Sequence, residues 1–282
     1  MKVFNTIKEM RELLDTHRSN GKSIGLVPTM GYLHEGHISL LNKSVSENDI
    51  TVLSIYVNPT QFGPTEDLDS YPRDIENDKR LAENAGVDIV FIPSDSIMYL
   101  ENHFTYVNVN NLTANLCGSS RPTHFQGVTT IVTKLFNIIQ PKKAYFGQKD
   151  AQQALVINRM VKDLNIPVEI ITCPIIREKD GLAMSSRNKY LNQEERGQAT
   201  ILFQSLQMAK NIIIDGERSA DIVKSSIQQS INSKSLAKID YISIVSENTL
   251  EDIDKIEGNT LIALAVRFGN TRLIDNLRME VN

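Results

Sequence analysis

Residues 23 to 41 read SIGLVPTMGYLHEGHISLL, and the order of residue types in this stretch decides the fold. SIGLVP is a short apolar run ended by proline, the composition of a strand buried on both faces. PTMGYLHEGH follows with glycines at 31 and 36, after which Ile38, Leu41 and Val45 recur at helical spacing. Two histidines, His34 and His37, fall where that helix opens. Zinc is a poor reading of them, because a zinc-binding helix places its histidines four apart with a good helix former between. Here the spacing is three, Gly36 intervenes, and Cys117 and Cys173 stand far away in sequence. A helix start offers free N–H groups and the positive end of a dipole, which suits phosphate. Glycine lets the backbone approach such an anion closely.

The same rhythm continues outward. ITVLSIYV (50–57), VDIVFI (87–92), KAYFG (143–147) and VEIITC (168–173) read as strands. Between them, Ile75, Asp78, Leu81, Ala82 and Ala85 mark a helix stopped by Gly86. GVTTIVTKLFNIIQP (127–141) and DAQQALVINRMVKDL (150–164) carry two more. Strands alternating with such helices predict βαβ units and a parallel sheet. Near residue 176 the alternation stops at the polar, turn-rich REKDGLAMSSRN (177–188). Asn192 and Glu195 then form a capping-box pattern that predicts one long helix to about Ile213. A helix over about 219–232 and three strands (239–245, 260–268, 271–279) follow, the last two joined at Gly269-Asn270 as an antiparallel hairpin. The expected fold is α/β: a Rossmann-like parallel-sheet domain over 1–176 and a smaller α+β domain over 177–282.

Composition narrows the class. The 282 residues are 41% apolar and 23% charged, and 30 basic against 34 acidic residues give a net charge of −4. That balance argues against a broad nucleic-acid or anionic-membrane surface. No stretch approaches eighteen consecutive apolar residues, so no membrane span is expected. Two cysteines suit a reducing compartment, and MKVFNTIKEMRELL lacks the apolar core of a signal peptide. A cytoplasmic location is expected.

Ligands of an open parallel sheet bind beyond the carboxyl ends of its strands. PTMGYLHEGH and FGQKD (146–150) both follow strands and open helices, and GLAMSSRN (181–188) follows the domain junction. HEGH is similar to the His-x-Gly-His signature of the nucleotidyltransferase superfamily, and MSSRN resembles its second phosphate-binding loop. PTMGYLHEGH, YVNPTQFGP, YPR, RPTHFQGV, FGQKDAQQ and MSSRNKYL occur in an order and spacing that resemble the pantothenate synthetase family along the whole chain. Gln148 stands where glutamate is frequent in that family, and Tyr32 where alanine is frequent.

The resemblance implies a nucleotidyltransferase-type fold and ATP-dependent condensation of pantoate with β-alanine through a pantoyl adenylate. It implies ATP contacts from Met30, Gly31, Tyr32, Leu33, His34, Glu35, Gly36 and His37, with His37 as proton donor and His34 beside it. Gly147, Gln148, Lys149 and Asp150 would line the nucleotide site, Lys149 countering phosphate charge and Asp150 holding the ribose. Ile176 would touch adenine, and Met184, Ser185, Ser186 and Arg187 would close on the triphosphate. His37, His34, Lys149 and Arg187 make up the expected catalytic set. Gln61 and Gln153 would bind pantoate, and Gln61 also β-alanine. Mg2+ would accompany ATP, with Asp78 as its candidate carboxylate, and a homodimer is implied.

Blander readings stand beside these. His17 and His103 read as structural or surface residues, His124 equally as site lining or loop structure, and the run containing Asp78 as a solvated face. A different nucleotidyltransferase would share the histidine loop without needing the NPTQFGP and KDAQQ blocks. A tRNA synthetase fits neither the charge nor the small second domain. A nucleotide-sensing module without turnover would not need His37, Lys149 and the Ser185–Arg187 loop together.

Overall fold

The structure, a computed structural model, describes residues 1–64 and 66–281. Its elements run β1 (Lys2–Phe4), α1 (Ile7–Ser19), β2 (Ile24–Thr29), α2 (Glu35–Glu47), β3 (Ile50–Ile55), α3 (Ile75–Asn84), β4 (Ile89–Phe91) and the short α4 (Asp95–Met98) and α5 (Cys117–Ser120). They continue with α6 (His124–Ile139), β5 (Lys143–Gly147), α7 (Ala151–Asp163), β6 (Glu169–Cys173), α8 (Gln193–Ala199), α9 (Ile201–Ile214), α10 (Ala220–Asn232), β7 (Ala237–Ser246), β8 (Gly258–Phe268) and β9 (Thr271–Val281).

Six strands form one parallel sheet in the order β1-β4-β3-β2-β5-β6. Both of its faces are covered, which is why the strands read as unbroken apolar runs rather than alternating ones. Ile24, Leu26, Val52 and Phe146 pack with α1, α6 and α7 on one face. Val27, Leu53, Ile55 and Tyr145 pack with α2 and α3 on the other. A second core fills the space between α8, α9 and α10 and the antiparallel sheet β7-β8-β9. The two meet where Leu116, Cys117 and Phe125 touch Val245, Leu261 and Ala263. No helix among the described residues is long and apolar enough to cross a membrane.

Four details depart from the sequence reading. The sheet begins one strand earlier, with β1 at its edge beside β4. Helix α6 starts at His124, three residues before Gly127. On α2 the inward face centres on Leu40, Leu41 and Ser44, and Val45 is exposed. Ser44 is fully buried because its hydroxyl pairs with Thr51 at 2.8 Å. The long helix expected after Asn192 is two helices that meet at Thr200, although its capping box forms as expected.

Candidate active site

The chain leaves β4 on one side of β2 and re-enters the sheet at β5 on the other. That reversal opens a crevice beyond the carboxyl ends of β2 and β5, the usual ligand position in such sheets. The loop leaving β2 is shaped by one carboxylate. Asp78 of α3 accepts the backbone N–H groups of Tyr32 (2.8 Å) and Leu33 (2.7 Å) and has no exposed surface. These bonds hold Gly31 and Tyr32 at positive φ, +84° and 53°. A Cβ at Gly31 would also approach an Asp78 oxygen to 2.9 Å, so residue 31 is restricted to glycine.

The expectation that Asp78 holds a metal is therefore corrected. Its two oxygens are bound to the loop's amides, and it does not line the crevice. Burial raises its pKa, an effect the two backbone N–H groups partly offset. Among the described residues no three His, Cys, Asp or Glu side chains converge as a metal cluster.

His34 caps α2, accepting the Gly36 N–H at its Nδ1 (3.1 Å), while the His37 Nδ1 accepts the His34 N–H (3.3 Å). The rings lie 4.0 Å apart. A neutral imidazole that accepts at Nδ1 carries its hydrogen on Nε2, so both rings are Nε2–H donors. Burial, then the Lys149 charge, lowers the His34 pKa to about 4. Burial with His34 and Lys149 nearby holds His37 well below its ordinary value. Both are neutral near pH 7.

Met30, His34, Gly36 and His37 line a cavity of about 220 Å3 together with Gln61, Gly147, Lys149, Asp150, Gln153, Ile176 and Met184 to Arg187. Five of these, Lys149, Asp150, Gln153, Ser185 and Arg187, also line an adjoining cavity of about 860 Å3 between the two sheets. A volume of that order accommodates a nucleotide-sized ligand. Four other segments thus converge with the β2 loop. Gly147 ends β5, Gln61 follows β3 in a 3₁₀ turn, and Gln153 lies in the first turn of α7. Ile176 and Met184 are joined by a backbone hydrogen bond of 3.0 Å.

Five expected contact residues do not line the smaller cavity. Gly31, Tyr32 and Leu33 build the turn that Asp78 holds, and Glu35 is exposed. The Gln148 amide turns instead to Asn276 of β9 (3.4 Å).

Charges and amides around the cavity are held by residues that sequence reasoning missed. Arg187 makes a bidentate pair with Asp67 (2.9 and 2.8 Å). Gln61 accepts from Asn58 (3.2 Å) and donates to the Met30 sulfur (3.0 Å). Its backbone carbonyl accepts from the His124 Nδ1 (2.8 Å) and from Arg121, so His124 both lines the larger cavity and holds a loop. Asn58, buried in the structure, sits directly after the apolar run ITVLSIYV, and that position at a strand's carboxyl end was the available signal. Asp67 offered none, because its partner lies 120 residues away.

A family model described as pantoate-beta-alanine ligase matches residues 2–278. Pantothenate synthetase of Acetivibrio thermocellus is 59% identical over 281 residues, all of both chains, and that of Caldicellulosiruptor saccharolyticus is 57% identical over the same span. The crystal structure of pantothenate synthetase from Thermus thermophilus superposes with a TM-score of 0.94 at 43% identity, covering 98% of this chain and 99% of that one. The pantoate-beta-alanine ligase of Francisella tularensis, solved as a complex with beta-gamma ATP and beta-alanine, gives 0.81 at 34% identity, covering 98% and 97%. With the histidine loop, the amides and the lysine gathered at the switch point of a parallel sheet, and with this likeness running end to end, the chain belongs to the pantoate-beta-alanine ligase family.

Proposed function

We infer that this chain condenses pantoate with β-alanine at the expense of ATP, forming pantothenate, AMP and pyrophosphate. A carboxylate does not acylate an amine directly, because oxide is too poor a leaving group. In the reading we favour, a pantoate carboxylate oxygen attacks the α-phosphorus and the bond to the β-phosphate oxygen breaks, releasing pyrophosphate. The β-alanine amine then attacks the acyl carbon of the adenylate, AMP leaves, and the ammonium proton is lost. The observation that carries this reading is the neutral, Nε2–H-bearing pair His34 and His37 beside Lys149 in one cavity. Such donors suit a leaving pyrophosphate whose charge grows in the transition state.

The remaining roles are the ones the family resemblance implies, and the cavity lining is compatible with them. His37 and His34 donate to phosphate oxygens, Lys149 balances their charge, and Asp150 takes the ribose. Ile176 meets the adenine, and Met184 to Arg187 close over the triphosphate. Gln61 and Gln153 hold pantoate, since neutral amides donate and accept without adding charge, and Gln61 also meets β-alanine. Mg2+ arrives on the triphosphate as part of the substrate, and no step here depends on a protein-bound metal. Residues 177–282 act as a lid domain on 1–176. A homodimer fits the exposed apolar group Leu100, Phe104 and Tyr106, the partners are otherwise small molecules, and the location is the cytoplasm.

The test uses ATP, Mg2+ and pantoate without β-alanine. Labelled pyrophosphate should exchange into ATP only when pantoate is present, because exchange requires reversible adenylate formation. A folded protein that binds ATP but shows no pantoate-dependent exchange would refute the assignment. Exchange driven by a different acid would indicate another nucleotidyltransferase.

A further inference from the structure

Asn276 lies on β9, outside every segment assigned a ligand above, yet its side chain reaches the nucleotide loop. Its Nδ2 donates to the backbone carbonyls of Gln148 (2.9 Å) and Lys149 (2.9 Å), and its Oδ1 accepts from the Gln148 amide (3.4 Å). The residue is only 4% exposed. Next to it, Asp275 takes a bidentate pair from Arg177 (2.6 and 2.9 Å) and the Asn276 N–H (2.8 Å), which fixes β9 against the start of the 177–187 segment.

The two clamped carbonyls belong to the two peptide planes that flank the Lys149 Cα. Each plane is rigid, so holding the carbonyl of each restricts the φ and ψ of Lys149 and with them its Cα–Cβ direction. Holding both carbonyls takes two donor hydrogens, which the asparagine amide supplies from one nitrogen. Aspartate cannot donate, and serine donates once. We propose that Asn276 is a positioning residue for Lys149, by which the C-terminal sheet sets where the lysine charge meets the ATP phosphates. The proposal rests on the nucleotide reading given above.

A double-mutant cycle tests it with ATP affinity measured by calorimetry, a readout independent of turnover. Asn276→Leu, which removes both donors without adding charge, should weaken ATP binding about tenfold in the wild-type background, the scale of a lost hydrogen-bond pair. It should change affinity less than about twofold once Lys149→Ala is present, because the residue being positioned is gone. Equal losses in both backgrounds would overturn the proposal and leave Asn276 as packing. Asn276→Ser, which keeps one donor and adds no charge, should fall between the two affinities and supplies the cycle if the leucine variant does not fold. Wild-type protein that binds ATP yet shows no pantoate-dependent exchange would refute the function while the cycle still decides the role of Asn276. Absence of ATP binding by the wild type would overturn both.

Discussion

Gly36 lies directly beneath the His34 ring: a Cβ at position 36 would come within 2.9 Å of Cε1 and 3.0 Å of Nδ1. The glycine between the two histidines is therefore a steric requirement for folding the first ring back onto the helix start. Gly36→Ala puts two effects in opposition. Alanine in a helix is favoured by about 0.5–1 kcal/mol over glycine, whereas the displaced ring loses its bond to the residue-36 N–H. The melting temperature should hold or rise slightly, while pantoate-dependent pyrophosphate exchange falls about tenfold or more, as loss of a preorganised donor predicts. Unchanged exchange would mean that the ring position does not matter.

His37 offers a sharper comparison. His37→Ala should cut exchange about a hundredfold or more, the usual effect of deleting one transition-state donor. His37→Gln keeps an N–H near the place of Nε2 and should recover part of that loss. Equal defects in the two variants would show that His37 acts other than by donating a hydrogen bond.

The buried imidazoles also make stability depend on pH. His34 and His124 are held near 4, chiefly by burial, and His37 well below 6.5. The unfolded chain therefore binds more protons than the folded one below about pH 6.5. Their contribution to stability is complete above the ordinary histidine pKa and is lost as pH falls from about 6.5 through 4. The melting temperature should drop over that window, and the slope should be shallower in a His34→Gln, His37→Gln double variant. An identical slope would assign the acid sensitivity to other groups.

Asp78→Asn separates loop shaping from metal binding. An amide nitrogen facing the Tyr32 or Leu33 N–H cannot accept it, and a lost charge-assisted bond in a buried site costs about 1.5–3 kcal/mol. Unfolding by denaturant should show that loss, and exchange should fall because the histidine loop loosens. The Mg2+ concentration giving half-maximal exchange should stay the same. A stable variant that needs far more Mg2+ would restore Asp78 as a metal ligand.

These residues also mark how far the sequence could be read. Strands buried on both faces and a tight hairpin leave contiguous local patterns, so β5 matches its expected limits and the Gly269-Asn270 turn lies where expected. The three-residue β1 leaves too short a pattern, and its partner β4 is more than eighty residues away. The histidine loop was legible because strand, glycines and helix start are adjacent in the chain. The roles of Asp78 and Asn276 were not. Asp78 falls at the periodic spacing of its helix, but the backbone it serves lies 45 and 46 residues away in the chain, and Asn276 looks like an ordinary polar position on its strand.

The adjacent glutamines of FGQKDAQQ divide structure from substrate, and their variants should do the same. Gln152 is 6% exposed; it accepts the Cys117 N–H (3.0 Å) and donates to the carbonyls of Leu112 (2.9 Å) and Asn115 (2.8 Å), tying the 112–117 loop to α7. Gln153 lines both cavities, and its side chain forms no hydrogen bond among the described residues. Gln152→Ala strands three backbone groups and should destabilise the fold by about 2–4 kcal/mol, given about 1–3 kcal/mol for each group left buried without a partner and partial access to water. Its pantoate KM should change little at temperatures where the protein stays folded. Gln153→Ala removes nothing that the fold uses, so its melting temperature should match the wild type. An amide that meets substrate hydroxyls leaves them unsatisfied when removed, so pantoate KM in the exchange assay should rise tenfold or more. If Gln153→Ala is instead the destabilised variant and its pantoate KM is normal, Gln153 is a framework residue and the pantoate pocket lies elsewhere in the crevice.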